Sequence, residues 1–520
     1  MTRLPLTTRS IKIRLFLTCW LVFVLHFASD FVREHYLVAS IVEDHSFRLD
    51  KYLGLHVDIA RNPPEAKVQG AHHNANPGIS MVAAIPYFVL RPIVDAIVER
   101  NLAQRHSTGD TTTVYNDPRP DRVAFYAKVR RLGLDVRVAL VGAITMAFCM
   151  APLTALSAVL LFDLLFRLGL RRAHALSLAL LYAFGTPVFF RTAFLNQNLA
   201  VGVFAFAAFY LLWDPDDGNW LGVRWRYAIA GFFGGLCLLC DYSGAIALGL
   251  LGLYGWLRRR DAVELSSAFK ETAWFAVGAL PPVALLLFYQ WASFGNAFYP
   301  PQHWMVPIEL TNTGYQGVGV FRLELLRLLL LDSRYGLFVT APVLMVGAGA
   351  LFLKRERALI PRREIAFCLA FSILFVLFFS QVEYTTLQWV TGIRYLTPVI
   401  PFLFLPTAAV LLCIPRIFTY ALALISFGIS WSMAMVRSQG TVLDNVVHVA
   451  VEGFQLPWLN VLANTATQYA PWLRRDVSPL VLFVFLGSIL AIIWTLRNPW
   501  RPLSALSDDD GAGPAGHGGS

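Results

Sequence analysis

Long apolar runs joined by short polar turns fill most of the chain. A run of roughly 20 apolar residues reaches across a hydrocarbon core. Such runs recur at 11–28, 138–166, 174–190, 197–213, 227–240, 243–257, 272–292, 336–353, 364–381, 396–414, 416–435 and 478–496. The pattern predicts an all-α polytopic membrane protein, a bundle of about twelve transmembrane helices. Several runs fall short of a full crossing, above all the pair that meets at Asp241 and Tyr242, which suits helices that tilt or dip in from one face. The polar stretch 29–136 interrupts the pattern and contains one apolar piece, 79–98, broken by Pro86, Arg91, Pro92 and Asp95. Prolines and charges at that density favour an interfacial helix lying on the membrane over a further span. The organisation expected is a cytoplasmic N-terminus and first span over 1–28, an outer loop with interfacial helices over 29–136, and a multi-span core over 137–435. An outer loop over 436–477, a last span over 478–503 and a disordered, Gly- and Asp-rich cytoplasmic tail over 504–520 complete it.

Composition explains where the apolar surplus goes. The 520 residues are 57% hydrophobic and 15% charged, with a mean hydropathy of +0.56. Charged residues fill about a quarter of a soluble domain, so the excess apolar surface here faces lipid. The net charge of +10 belongs to the turns, where basic residues mark the cytoplasmic face and its anionic headgroups; nucleic acid is not expected as a partner. Arg3, Arg9, Lys12 and Arg14 precede the uncharged stretch of the first run, roughly Leu15 to Phe27, and place it inside-to-outside. With 79–98 on the surface, Arg167, Arg171 and Arg172, Arg224 and Arg226, Arg258 to Arg260, and the cluster Lys354, Arg355, Arg357, Arg362 and Arg363 all fall on the cytoplasmic side. With 79–98 spanning, all of them fall outside. The first run has no small-residue cleavage site after it and is expected to stay as an anchor. Six cysteines lie within apolar runs, spaced neither for zinc nor for a disulfide framework. Cys237 and Cys240 form a CxxC inside a Leu/Gly-rich helix, where small-residue packing is the expected role.

This topology gathers the chemistry on the outer face. The first loop supplies Asp30, Arg33, Glu34, His35 and Tyr36, then Asp58, then His72-His73-Asn74-Ala75-Asn76-Pro77-Gly78. Shorter turns supply Arg191 to Asn198, Asp241-Tyr242, Phe294-Gly295-Asn296 with Tyr299, Asp332 with Arg334 and Tyr335, and Trp389 with Arg394 and Tyr395. A carboxylate takes a proton from an attacking hydroxyl, an arginine presents a fixed fork to phosphate oxygens, and Tyr and Trp stack on sugar faces. Together they suit an anionic, sugar-bearing substrate. The alternative for each residue alone is an interfacial anchor in an aromatic belt or a snorkelling arginine.

Asp30, Arg33-Glu34-His35-Tyr36 and Ala39 after the first span, followed by the Asn76-Pro77-Gly78 turn, resemble the GT-C superfamily of membrane glycosyltransferases, notably its protein O-mannosyltransferases and aminoarabinose–lipid A transferases. The turn from His72 to Met81 is similar to the Tyr-Ser-Asn-Lys-x-Pro-Gly turn of a bacterial branch, with Ala75 where the lysine stands. Asp332 to Phe338, Phe294-Gly295-Asn296 and Trp389 to Pro398 match further motifs of that branch, so the resemblance runs over 15–414. It implies a polyprenyl-phosphate sugar donor, inversion at the anomeric carbon, a glycan, lipid or protein acceptor, and a multi-pass place in a bacterial inner membrane with both termini cytoplasmic. It also implies a carboxylate after the first span as general base, with Asp30 first, Asp58 second and Glu34 third. For Asp30 the bland reading is a helix N-cap. Arg394, supported by Arg334, is assigned to the donor phosphate. His73, Asn76, Tyr299, Trp389 and Tyr395 are assigned to substrate, and Pro77 and Gly78 to the shape of the turn. No cofactor is expected; a divalent metal at His72 and His73 with Asp58 is the weaker alternative, since they lack the helical spacing of a metal site. A transporter or flippase of a lipid-linked glycan, marked by charge at mid-membrane depth, is the competing function, and a non-catalytic scaffold the third.

Overall fold

The computed structural model describes residues 7–28, 32–56, 58–109, 120–215, 221–305, 307–354, 359–386, 390–436, 440–459 and 478–495. The apolar runs form helices almost where the hydropathy places them. Helix α1 (Thr8–Leu25) starts on Thr7, whose hydroxyl accepts from the Ser10 amide at 3.2 Å. Helices α2 (Arg33–Glu43), α3 (Gly78–Thr108), α4 (Pro120–Arg131), α5 (Leu134–Thr145) and α6 (Ala151–Arg167) follow. Next come α7 (Arg172–Phe184), α8 (Val188–Arg191), α9 (Gln197–Trp213), α10 (Val223–Cys240), α11 (Gly244–Arg260) and α12 (Leu265–Phe294). Then come α13 (Leu323–Leu331), α14 (Leu337–Thr340), α15 (Arg362–Phe379), α16 (Ile400–Leu411), α17 (Arg416–Met435) and α18 (Val442–Glu452), with a last described helix over Leu480–Thr495. The strands among the described residues are one short ribbon, β1 (Ala60–Arg61) antiparallel to β2 (Ala71–His72) with Ala60 opposite His72. The fold is all-α.

Among the described residues five helical stretches are long and apolar enough to cross a membrane: Gly78–Thr108, Leu134–Arg167, Val223–Cys240, Leu265–Phe294 and Arg416–Met435. Shorter apolar helices stand beside them at Gln197–Trp213, Pro342–Phe352, Thr397–Leu411 and Leu480–Thr495. The run expected at 336–353 is the four-residue α14 followed by a 3-10 helix over Pro342–Phe352, whose rise of about 2 Å per residue stretches a short sequence further than an α-helix would. The pair that meets at Asp241 runs the length of the bundle and back. Arg226 and Arg258, at its other end, reach the charged cluster at the far end of the bundle.

Side chains too small to hold helices apart build the centre. Helices α10 and α12 run parallel and in direct contact, joined in sequence by the returning α11. Gly231 lies on the Phe275 carbonyl and Gly278 on the Ala228 carbonyl so closely that a Cβ at either would collide with backbone. Such small-residue contact lets apolar helices approach where lipid offers no hydrophobic drive between them. Cys237 lies on the same core, its thiol 3.5 Å from the Val201 carbonyl of α9.

Charge sorts the two ends. At one end Asp214, nearly fully buried, receives both Arg167 and Arg226. Asp163 pairs with Lys12 at 2.5 Å and receives the Tyr210 hydroxyl, and Glu364 holds Arg258 at 3.3 Å and Tyr254 at 3.1 Å. Arg363 bonds Asp261 at 2.7 Å. At the opposite end lie the C-termini of α1, α10 and α12 and the N-termini of α3 and α9.

Helix α3 is one uninterrupted element of 31 residues that passes through Pro86 and Pro92. Its Ile85, Phe88, Val89, Ile93 and Ile97 form one exposed apolar face. On the other face Tyr87 donates to Glu43 at 2.6 Å, Arg91 pairs with Asp95 at 3.4 Å, and Arg137 of α5 bonds Asp95 at 2.6 Å and Glu43 at 3.2 Å. The prolines interrupt the expected pattern without breaking the helix, since each removes one backbone donor and neighbouring side chains hold the segment. A π-helical turn, Met146–Met150, joins α5 to α6 into one continuous helical stretch.

Candidate functional site

The site end is built around α2. Its second residue, Glu34, is 3% exposed and stands 3.6 Å from Arg33 Nε and 3.8 Å from His73 Nε2. Burial alone would raise the Glu34 carboxyl; His73, Arg33 and then Arg394 outweigh it and hold the group well below the usual carboxylate range. His73 is held from both sides. Its Nδ1 lies 3.1 Å from the Ala75 carbonyl, and its own carbonyl accepts the Tyr289 hydroxyl at 2.6 Å. An imidazole that gives Nδ1–H to a carbonyl turns Nε2 to the carboxylate, and in the doubly protonated form both nitrogens donate. Ser80 at the start of α3 donates to the Glu34 carbonyl at 3.0 Å, locking α2 to α3.

Arg33 lies between two carboxylates, since Asp58 is 4.0 Å from its Nη1. Burial works against the Arg33 charge, and Glu34, Asp58 and Tyr395 more than compensate, so it stays cationic. Asp58 is exposed and also lies 3.8 Å from His56. His35 and His72 are pushed down to about 4 by burial and are neutral near pH 7. His72 sits in the ribbon with Nδ1 3.0 Å from the Asn62 amide. No group of three His, Cys, Asp or Glu among the described residues has the spacing of a metal site.

A second wall comes from the segment before α16. Arg191 of α8 donates Nε to the Ile393 carbonyl at 2.7 Å and Nη2 to the Gly392 carbonyl. Gly392 adopts φ 104°, which only glycine takes readily, and a Cβ there would strike the Phe190 ring. Its amide donates to the Arg334 carbonyl at 2.7 Å, which joins the two arginine-bearing segments. Arg394 follows, half-buried, 5.3 Å from the centre of the Tyr395 ring. Arg334 Nε is buried without a hydrogen-bond partner among the described residues. Tyr395 packs on Phe379 and Tyr384 and is 8% exposed.

Asp241 supplies the third wall. It sits in the turn between α10 and α11, where Ser243 N reaches Oδ1 and Gln197 Nε2 reaches Oδ2, each at 2.9 Å. Burial pushes its carboxyl up; the Ser243 bonds and the positive fields of Arg394 and Arg33 oppose this without cancelling it. Asn76 ties the first loop to the same turn through a 2.8 Å bond from Nδ2 to the Leu238 carbonyl.

Of the residues expected from sequence, Glu34, His73, Asn76, Arg394 and Tyr395 come together here, with Arg334 joined through backbone and Asp58 on the rim. Tyr299 is half-exposed in an aromatic stack with His303, centroids 4.5 Å apart, and reaches the site indirectly, through the neighbouring Gln302, 3.4 Å from Asn76, and through Trp304 and Phe294 to Tyr289. Asp30 and Trp389 lie outside the described residues. Arg33, Gln197 and Asp241 were expected on the outer face but without a role in the site. The signal for Asp241 was a carboxylate at the joint of two apolar runs.

No family model, curated protein or solved structure matches the chain.

Proposed function

We propose that this chain is a polytopic glycosyltransferase of the GT-C kind that moves a sugar from a polyprenyl-phosphate donor to an envelope acceptor at the outer face of a bacterial inner membrane. The observation that carries the reading is the meeting of Glu34, Arg33, His73, Arg394 and Asp241 at the end of the bundle opposite the basic turns. The positive-inside rule then assigns the basic end to the cytoplasm and the carboxylates to the outside. The short apolar helices count as crossings in this reading, about twelve in all, and the amphipathic α3 lies along the surface.

The acceptor hydroxyl oxygen attacks the anomeric carbon as the bond from that carbon to the phosphate oxygen breaks. The polyprenyl phosphate leaves with the electron pair, and the hydroxyl proton passes to a carboxylate. Arg394 and Arg334 meet the charge growing on the phosphate. Asp30, after the first span, is the base that the resemblance implies. Glu34 is suited to another role, because His73, Arg33 and Arg394 make it a weak proton acceptor and a fixed negative charge that orients Arg33 and His73. A transport pathway would instead draw on unpaired charge within the bundle; the buried carboxylates Asp163, Asp214 and Glu364 are paired and gathered at its far end.

The reading is tested by transfer from radiolabelled polyprenyl-phosphate sugars in membranes holding the wild type, Asp30→Asn, Asp58→Asn, Glu34→Gln or Arg394→Ala. Transfer by the wild type is expected, with a loss of about 10²–10⁴-fold in the variant lacking the base. If no donor is consumed and all variants match the wild type in cells, the transferase reading is abandoned for transport or scaffolding.

A further inference from the structure

The opening residues of α9 have no part in the transfer step itself. Asn196, Gln197 and Asn198 are 3%, 6% and 0% exposed. Asn196 Oδ1 caps the helix by accepting from the Leu199 amide at 3.1 Å, and Gln197 Nε2 is spent on Asp241. Their remaining polar atoms, Asn196 Nδ2, Gln197 Oε1 and both ends of the Asn198 amide, meet no hydrogen-bond partner among the described residues. In the turn that Gln197 bonds, Ser243 Oγ is buried in the same condition, and so is Oε1 of Gln290, whose Nε2 bonds the Tyr242 hydroxyl of that turn. Native interiors leave few such groups, and each calls for an occupant.

The unmade bonds include both donors and acceptors. A bare ion needs one kind, whereas a ring of hydroxyl groups, each of which gives and takes a proton, needs both. The cluster adjoins Asp241, which in turn feels Arg33 and Arg394, so it lies next to the phosphate side of the site. Both Asp241 oxygens are already engaged. The neighbouring guanidinium groups disfavour a cationic sugar, and the unpaired groups themselves, amides and a hydroxyl, carry no charge to balance an acidic one. Resting on the transferase reading above, we propose that Asn196, Gln197, Asn198, Ser243, Gln290 and Asp241 form the subsite for the donor's sugar ring, and that it selects an uncharged, hydroxyl-rich sugar.

The experiment uses the full chain in lipid nanodiscs. It measures binding of polyprenyl phosphates carrying glucose, mannose, galactose, arabinose or 4-aminoarabinose, and of bare polyprenyl phosphate, to the wild type, Asn198→Leu and Ser243→Ala. Both substitutions remove an unpaired buried polar group, so melting temperatures should hold or rise. Affinity for the preferred neutral-sugar donor should fall at least about tenfold in Asn198→Leu, while bare polyprenyl phosphate binds as before. Sugar preference unchanged in both variants would overturn the subsite. So would a preference for the amino sugar, or a lowered melting temperature with equal loss of every ligand. A wild type that binds the bare lipid as well as any donor removes the subsite alone; one that binds none removes the transferase reading as well.

Discussion

Glu34 and Asp241 are two carboxylates at one end of the bundle whose surroundings act on them in opposite directions. Glu34 is held low, so its contribution to stability is present above the ordinary glutamate value of about 4.3 and drains away as pH falls from there toward its depressed folded value. Asp241 is held high by burial, so the fold is favoured while it carries a proton, and that advantage is lost as pH rises from the ordinary aspartate value of about 3.9 through its raised one. The two neutral replacements should therefore differ in sign at pH 7. Glu34→Gln leaves Arg33 and His73 facing a buried amide and should lower stability by about 3–5 kcal/mol. Asp241→Asn should melt at the same temperature as the wild type or higher. Thermal unfolding of the two variants in detergent, followed by intrinsic fluorescence, reads the difference; an equal fall in both would refute the opposed environments.

At the scale of elements, the α10–α12 seam is where one atom decides packing. A Cβ on Gly231 meets the Phe275 backbone, which has no rotamer through which to yield. Gly231→Val should force the helices apart and destabilise the protein by about 1–3 kcal/mol or more. Gly249→Ala on α11 meets nothing within 4 Å and serves as the control, expected to stay close to the wild type. Size-exclusion profiles after a heating series separate the two. Helix α3 shows a related point, because its two prolines alter its backbone bonding without ending it, and its exposed apolar face is compatible with lying on lipid as well as with crossing it.

For the whole molecule, one end carries the paired cations and the other the acids of the site, and the sidedness proposed above turns that into an accessibility experiment. Cys413, exposed in the turn between α16 and α17 at the basic end, should react with a membrane-impermeant thiol reagent only after cells are opened. A Tyr299→Cys variant, at the site end, should react in intact cells. Labelling of Cys413 from outside would reverse the topology and with it the placement of the site.

The apolar runs were legible because lipid imposes a length and composition on whatever borders it, and α9 and α17 begin and end where hydropathy alone puts them. The partial site was legible for the same reason: Glu34, His73, Arg394 and Tyr395 stood out as polar chemistry at the ends of apolar runs. What the linear pattern could not express was distance between runs. It could not show that Arg191 grips the backbone that carries Arg394, that Gln197 reaches Asp241 across 44 positions, or that Arg33 stands between Glu34 and Asp58. Those pairings depend on which helices lie side by side, and glycine seams and buried ion pairs settle that only when the bundle closes. Hydropathy thus determined that the chain forms apolar helices and roughly where, through the energetics of single segments; tertiary packing decided which polar side chains share a site, since burial and charge act between residues that only the fold makes neighbours.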